Sequence, residues 1–316
     1  MRILVTGAGG MLGSALCPTL IKKGHEVLAT DLTPDRNELS YLDVRSHKQI
    51  REVVEKTKPD MIMHLAAETD VDKCELEPNH AFLTNTVGTQ NVALICQKNA
   101  IDLVYISTIG VFYGDKTEPY TEFDNPNPIN IYGRSKLEGE IIVQRLLQKY
   151  YIVRAGWMVG GGPGKDKKFI GKIMRQIEEK KMLKAVNDKI GSPTYTVDFS
   201  SCLGNLIETG FYGLYHCTNK GYGSRFDVAK KIVEILGRKD VIVEPVSSAY
   251  FPLPAARARS EMSSNYKLEL LGMNSVRNWE KALKEYIKIY VEQEQLEQKI
   301  QTCNVKYALT PPIPAQ

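Results

Sequence analysis

The chain has no apolar run of about 18 residues, so no membrane-spanning helix is expected. Its first residues enter a strand-like run at once, which leaves no room for a secretory leader. Six cysteines (17, 74, 96, 202, 217 and 303) occur without C-x-x-C spacing, and the five histidines are dispersed. No metal centre is indicated by either pattern. Without an export signal the cysteines read as reduced thiols, and the cytoplasm is the expected compartment. Lysine plus arginine total 41 against 37 acids, and no basic block with interleaved aromatics occurs. Neither nucleic acid nor a membrane surface is therefore an expected partner. No internal repeat is visible.

What is present begins at the amino terminus. Ile3-Leu4-Val5 is a short apolar run that runs into Gly7-Ala8-Gly9-Gly10-Met11-Leu12-Gly13, after which Leu12, Ala15, Leu16 and Leu20 recur at helical spacing. Glycines between a strand and a helix let the backbone approach a pyrophosphate, and the helix amides and dipole then face the anion. The spacing is G-x-x-G-x-x-G; the stricter G-x-G-x-x-G fails because Leu12 holds its last position. A plain turn with a helix cap is the alternative reading. A second strand, His25 to Thr30, ends at Asp31, roughly 20 residues beyond the glycines, where a ribose-binding carboxylate is expected. A carboxylate there repels a 2′-phosphate, which favours NAD(H) and leaves NADP(H) admissible, the more so with Arg36 close by. Asp43, beside Val44, is read either as a partner of the adenine amino group or as a cap for the helix over Ser46–Lys56. A third strand, Asp60 to Leu65, leads into Ala66 and Ala67, small enough to lie flat against a cofactor. Gly7, Gly10, Met11, Leu12, Asp31, Asp43, Val44, Ala66 and Ala67 are thus the expected cofactor contacts.

A fourth strand, Leu103 to Ile106, ends in Ser107-Thr108, at the strand end where parallel sheets bind ligands. A loop rich in Pro and Asn follows, and a helical pattern begins near Ile131. Tyr132 and Lys136 are four apart and share a helix face. A phenol of pKa about 10 is a weak acid–base group at neutral pH, and a nearby ammonium is expected to lower it. Tyr132 would then protonate a ketone oxygen, Thr108 would orient that oxygen, and Lys136 would also bond the nicotinamide ribose. Alone, a Y-x-x-x-K pair also fits a surface aromatic beside an ordinary lysine.

Together Gly7, Gly10, Gly13, Asp31, Asn85 within Asn85-Thr86-Val87-Gly88-Thr89, Ser107-Thr108 and Tyr132/Lys136 resemble the extended short-chain dehydrogenase/reductase superfamily. Within it, Ala66 to Glu75, Val111-Phe112-Tyr113-Gly114, Val153 to Trp157 and Asn187 to Thr194 are similar to the dTDP-4-dehydrorhamnose reductase branch, a likeness over roughly residues 1 to 290. The resemblance implies reduction of a nucleotide-linked 4-keto-6-deoxy sugar. It assigns Thr108, Tyr132 and Lys136 to catalysis and places Val71, Asp72, Trp157 and the loop from Asn187 around the substrate. Trp157 also fits plain core packing. Two departures stand out. The acid usual after Ser-Thr is Ile109 here, and Arg257-Ala258-Arg259-Ser260-Glu261 lacks the usual Pro and the usual Ser at its spacing. Arg257 and Arg259 suit a diphosphate, or solvated surface charge. Two other readings stay open: a sugar-nucleotide epimerase or dehydratase, the latter disfavoured by Ile109, and a non-catalytic regulatory subunit resembling that of methionine adenosyltransferase.

Alternation of strand and helix predicts an α/β fold with a doubly wound parallel (Rossmann) sheet and a smaller substrate lobe. The expected divisions are 1–157 for the nucleotide part, 158–290 for the lobe and 291–316 for a tail. A strand over Leu214–Cys217 is expected to return to the main sheet, and a homodimer is compatible with the sequence.

Overall fold

The computed structural model describes residues 1–34, 39–166 and 168–308, the side chains of 298 and of 300 onward excepted. Arg36, the Cys303 side chain and the proline-rich end from 309 lie outside that description. Seven strands form one parallel sheet: β1 (Arg2–Thr6), β2 (Glu26–Asp31), β3 (Ser40–Tyr41), β4 (Met61–His64), β5 (Asp102–Thr108), β6 (Tyr150–Ala155) and β7 (Gly213–Cys217). Their order is β7-β6-β5-β4-β1-β2-β3, so the expected return of the 214–217 strand is observed, at the sheet edge.

Both faces of this sheet are covered, which is why its strands read as continuous apolar runs. Ile3, Val5, Met61, Met63, Val104 and Val153 point to one face and pack with Leu16, Leu20, Phe199 and Leu203. Leu4, Ile62, Leu103, Tyr105 and Ile152 point to the other, against Ile50, Val54, Val92 and Val143. The strand order reverses between β1 and β4. The carboxyl ends of these two strands carry the glycine turn and Leu65–Ala67, and such sheets bind nucleotides at this switch in strand order.

Past Ala155 the chain leaves the sheet. Trp157–Val159 pairs in parallel with Pro193–Tyr195, and Met182–Val186 with Ile242–Val246. A separate core of Ile170, Ile173, Ile177, Val228, Ile232, Leu283 and Tyr286 supports this part. The helix Arg225–Ile235 starts in a capping box: Ser224 accepts from the Asp227 amide, and the Asp227 carboxylate from the Ser224 amide. A single helix, Trp279–Ala308, runs through position 291.

Candidate active site

Backbone sterics build the glycine turn. Gly7 has φ 70°, and a Cβ there would stand 2.6 Å from the Ala66 nitrogen. A Cβ at Gly13 would collide with the Ala8 carbonyl, so this glycine lets the helix Gly13–Lys22 sit against β1. No side chain caps that helix, which leaves its first turn to an anion. The Met11 side chain lies by Gly161, whereas Leu12 is buried in the sheet core, so any contact of Leu12 with a ligand is through its backbone. Asp31 ends β2 beside the turn. Its Oδ2 accepts the Gly9 amide at 2.9 Å and its Oδ1 the Thr33 amide at 3.0 Å.

Asp43 does not cap the following helix. Ser46 does, accepting from the Gln49 amide, because the side chain nearest the helix start captures the orphan amide. The Asp43 carboxylate instead takes a two-pronged bond from Arg45, at 2.9 and 2.7 Å, which holds its pKa below the usual range. Val44 is buried against Gly88, and Ala66 and Ala67 are half-buried beside the turn. His64 is internal and neutral, its pKa pushed down to about 3 by burial. Thr89 donates to the Asn85 carbonyl at 2.7 Å and therefore accepts from His64 Nε2–H, leaving Nδ1 to accept from Thr6.

β5 is longer than its apolar run. Pairing of Ser107 with Arg154 and Thr108 with Ala155 carries it to Thr108. The two hydroxyls then separate. Ser107 Oγ is buried and donates to Glu140 Oε1 at 2.5 Å, while Thr108 Oγ1 accepts the Gly110 amide at 3.0 Å. Tyr132 enters on the helix Ile131–Leu146, whose start is fixed twice: Asn130 Oδ1 accepts from the Gly133 amide, and Glu75 from the Ile131 amide at 3.0 Å. Tyr132, Lys136 and Glu140 recur every four residues on one face. Glu140 takes a two-pronged bond from Arg154 of β6, at 2.9 and 2.6 Å, with both side chains buried. This pair ties the catalytic helix to the sheet. The sequence reading missed it, since a helical glutamate reads as surface; its one signal is the four-residue step beyond Lys136.

The charge states differ from expectation. Desolvation pushes the Tyr132 phenol up to about 12, against the lowering effect of Thr108. Burial pulls Lys136 down to about 7 despite the Glu140 carboxylate. The Lys136 side-chain nitrogen lies over the Tyr105 ring, 4.1 Å from its centroid. Burial sets the direction for the phenol, and Tyr132 is protonated.

The residues expected around substrate come together from distant parts of the chain. Asp72 Oδ2 accepts Arg257 Nη2 at 2.9 Å, and its Oδ1 the Ala255 amide at 3.1 Å. Val71, half-buried, begins the same short helix, Val71–Leu76. Ser260–Glu261 pairs in parallel with Ile190–Gly191, and Lys189 Nζ reaches the Arg257 carbonyl at 2.9 Å. Asn187 is exposed at the outer end of that loop, and Arg259 is exposed as well. Trp157 is not simply core: its indole N–H donates to Glu261, and the Arg225 guanidinium covers its ring at 3.8 Å. Arg225 was not anticipated; packed also against Phe169, it is pulled down to about 10 by desolvation. The other Glu261 oxygen lies 3.4 Å from where a Cβ on Gly110 would stand. A carboxylate thus lies close to Gly110, next to Ile109, from position 261, where the related motif carries Ser.

The family model of the RmlD substrate binding domain matches residues 1–292. A dTDP-4-dehydrorhamnose reductase of Mycolicibacterium smegmatis is 36% identical over 288 residues, covering 90% of this chain and 85% of that protein. The crystal structure of such a reductase from Clostridium acetobutylicum superposes with a TM-score of 0.85 at 38% identity, covering 92% of this chain and 99% of that one. One from Bacillus anthracis, solved in complex with NADP, gives 0.83 at 38% identity over 90% and 98% of the two chains. A match that spans the nucleotide turn, the Thr108–Tyr132–Lys136 set and the substrate lobe alike makes this chain a member of the RmlD substrate binding domain family.

Proposed function

We propose that this chain reduces the C4 ketone of a nucleotide-linked 4-keto-6-deoxy sugar, as in conversion of dTDP-4-dehydrorhamnose to dTDP-rhamnose. Relatives named for that activity, with their nearly full coverage, support the reading. The observation that carries it is the half-buried, protonated Tyr132 phenol, entering on the helix Ile131–Leu146 beside Thr108 at the carboxyl end of β5.

The residues fit a dinucleotide: Gly7, at φ 70°, turns the chain into a helix that has no side-chain cap, and the Asp31 carboxylate lies beside that turn, where it would meet a ribose. When bound, a reduced nicotinamide supplies the hydride to the carbonyl carbon. Thr108 positions the carbonyl oxygen. Tyr132 passes its proton to that oxygen as the C=O bond becomes CH–OH, and Lys136 stabilises the phenolate that remains. Asp72, Arg257, Trp157 and Glu261 hold the sugar nucleotide. Because Asp31 is fixed by two backbone amides, its charge opposes a 2′-phosphate, and we assign NADH as the preferred donor. The test is cofactor oxidation at 340 nm with dTDP-4-dehydrorhamnose and each reduced cofactor. Turnover faster with NADH is expected. No net oxidation of either cofactor, with NAD copurifying, would overturn the reductase in favour of an epimerase.

A further inference from the structure

Gly160, Gly161 and Gly162 have φ of 147°, 79° and 69°, three successive residues in a region that side chains disfavour. They turn the chain into a single helical turn, Gly162–Lys165, outside the main sheet. This strap is built in on its outer side. The Tyr286 hydroxyl donates to the Gly160 carbonyl at 3.0 Å and to Asp166 at 2.8 Å, and Gln293 presses on Gly162, leaving no room for a Cβ. On its inner side the strap meets the glycine turn. A Cβ at Gly161 would stand 3.3 Å from Met11, and Lys165 Nζ donates to the Gly9 carbonyl at 2.6 Å. The same ammonium acts on Cys17 of the helix behind the turn.

A cation has thus been brought across 156 residues to the backbone that cradles a pyrophosphate. An ammonium has three donors, and among the described residues one carbonyl takes one of them. The field at the start of an uncapped helix favours an anion, not a cation. Both facts are accounted for by an anionic ligand at this place. We propose that Lys165 is a pyrophosphate ligand of the bound dinucleotide, delivered by the glycine strap and backed by the Trp279–Ala308 helix. The inference rests on the dinucleotide reading of the glycine turn and is independent of which sugar is reduced. It also gives that helix a role in cofactor affinity through Tyr286 and Gln293.

The experiment is calorimetric titration of the full chain with ADP-ribose, which carries the pyrophosphate, and with adenosine, which does not. Lys165→Gln is expected to weaken ADP-ribose about tenfold or more at low salt, to leave adenosine unchanged, and to flatten the salt dependence of ADP-ribose binding. Lys165→Arg should recover most of the affinity. ADP-ribose binding equal in wild type and Lys165→Gln, or an equal loss for both ligands, overturns the proposal alone. A wild-type chain that binds no ADP-ribose overturns the dinucleotide reading with it.

Discussion

The nucleotide half and the substrate lobe hold their functional groups in different ways. In the first, each group sits at the end of a strand or on a helix packed against one, and short-range contacts fix it: Asp31 by the Gly9 amide and, buried, Ser107 by Glu140 and Glu140 by Arg154. In the second, the groups reach back to side chains of the first that are far away in sequence. Asp72 and Arg257 are 185 residues apart, Trp157 and Glu261 are 104 apart, and each partner is only half-buried. Buried, satisfied polar networks are rigid and costly to break, whereas partly exposed ion pairs contribute little stability. Changes in the first region should therefore damage folding or chemistry, and changes in the second should alter substrate affinity with the fold intact.

The largest effect expected is on chemistry. Tyr132→Phe removes the proton donor while keeping the ring, so kcat for ketone reduction should fall roughly 10²–10⁴-fold. NADH affinity, measured by fluorescence titration, should stay within about twofold, since the turn at Gly7 is untouched. Unchanged turnover would take Tyr132 out of the mechanism.

Next is the buried pair. Glu140→Ala leaves Arg154 charged and enclosed, and should cost about 3–5 kcal/mol in urea unfolding. The double variant Glu140→Leu/Arg154→Leu should be more stable than Glu140→Ala, because no lone charge remains. Arg257→Ala is the counterpart in the lobe. It should shift unfolding by less than about 1 kcal/mol while raising KM for the sugar nucleotide several-fold. Equal destabilisation by Glu140→Ala and Arg257→Ala would erase the contrast between the two regions.

The same contrast explains what could be read from sequence. The glycine turn, Asp31, the Tyr132–Lys136 step and the β–α alternation are local patterns, set by strand and helix periods, and the strands and helices that carry them are observed. The 103–106 run understated β5 because Ser107 and Thr108 are polar, yet they pair with β6 as regularly as their apolar neighbours. Asp43 was ambiguous because Ser46, three residues on, is an equally good cap. Arg225, Glu261 and Lys165 carried no local signal: each acquires its place only when the lobe folds back over the sheet. The loss of an acid at Ile109 was visible, but the approach of the Glu261 carboxylate to Gly110 depends on a contact that spacing cannot show.

Asp31→Ala is a smaller change. It removes the charge opposing a 2′-phosphate and should move the NADH to NADPH ratio of kcat/KM toward NADPH by about tenfold, of the order of one charge–charge contact. An unchanged ratio would show that Asp31 serves only to hold the Gly9 and Thr33 amides.

A further effect concerns stability and pH. Lys136 has its pKa lowered to about 7 in the folded chain, chiefly by burial, from an ordinary 10.5. Between these values the unfolded chain holds a proton that the folded chain lacks, so stability from this group rises with pH across that window. Below about 7 the folded chain must bury the cation and the penalty is complete; it fades as pH approaches 10.5. Lys136→Met removes the charge and keeps most of the side-chain length. It should therefore raise Tm at pH 6, and raise it less at pH 9, even as it abolishes reduction. An equal shift at both pH values would mean that the folded chain holds its ammonium as comfortably as water does, and the nucleotide half would lose its distinction as the region that stores buried charge for catalysis.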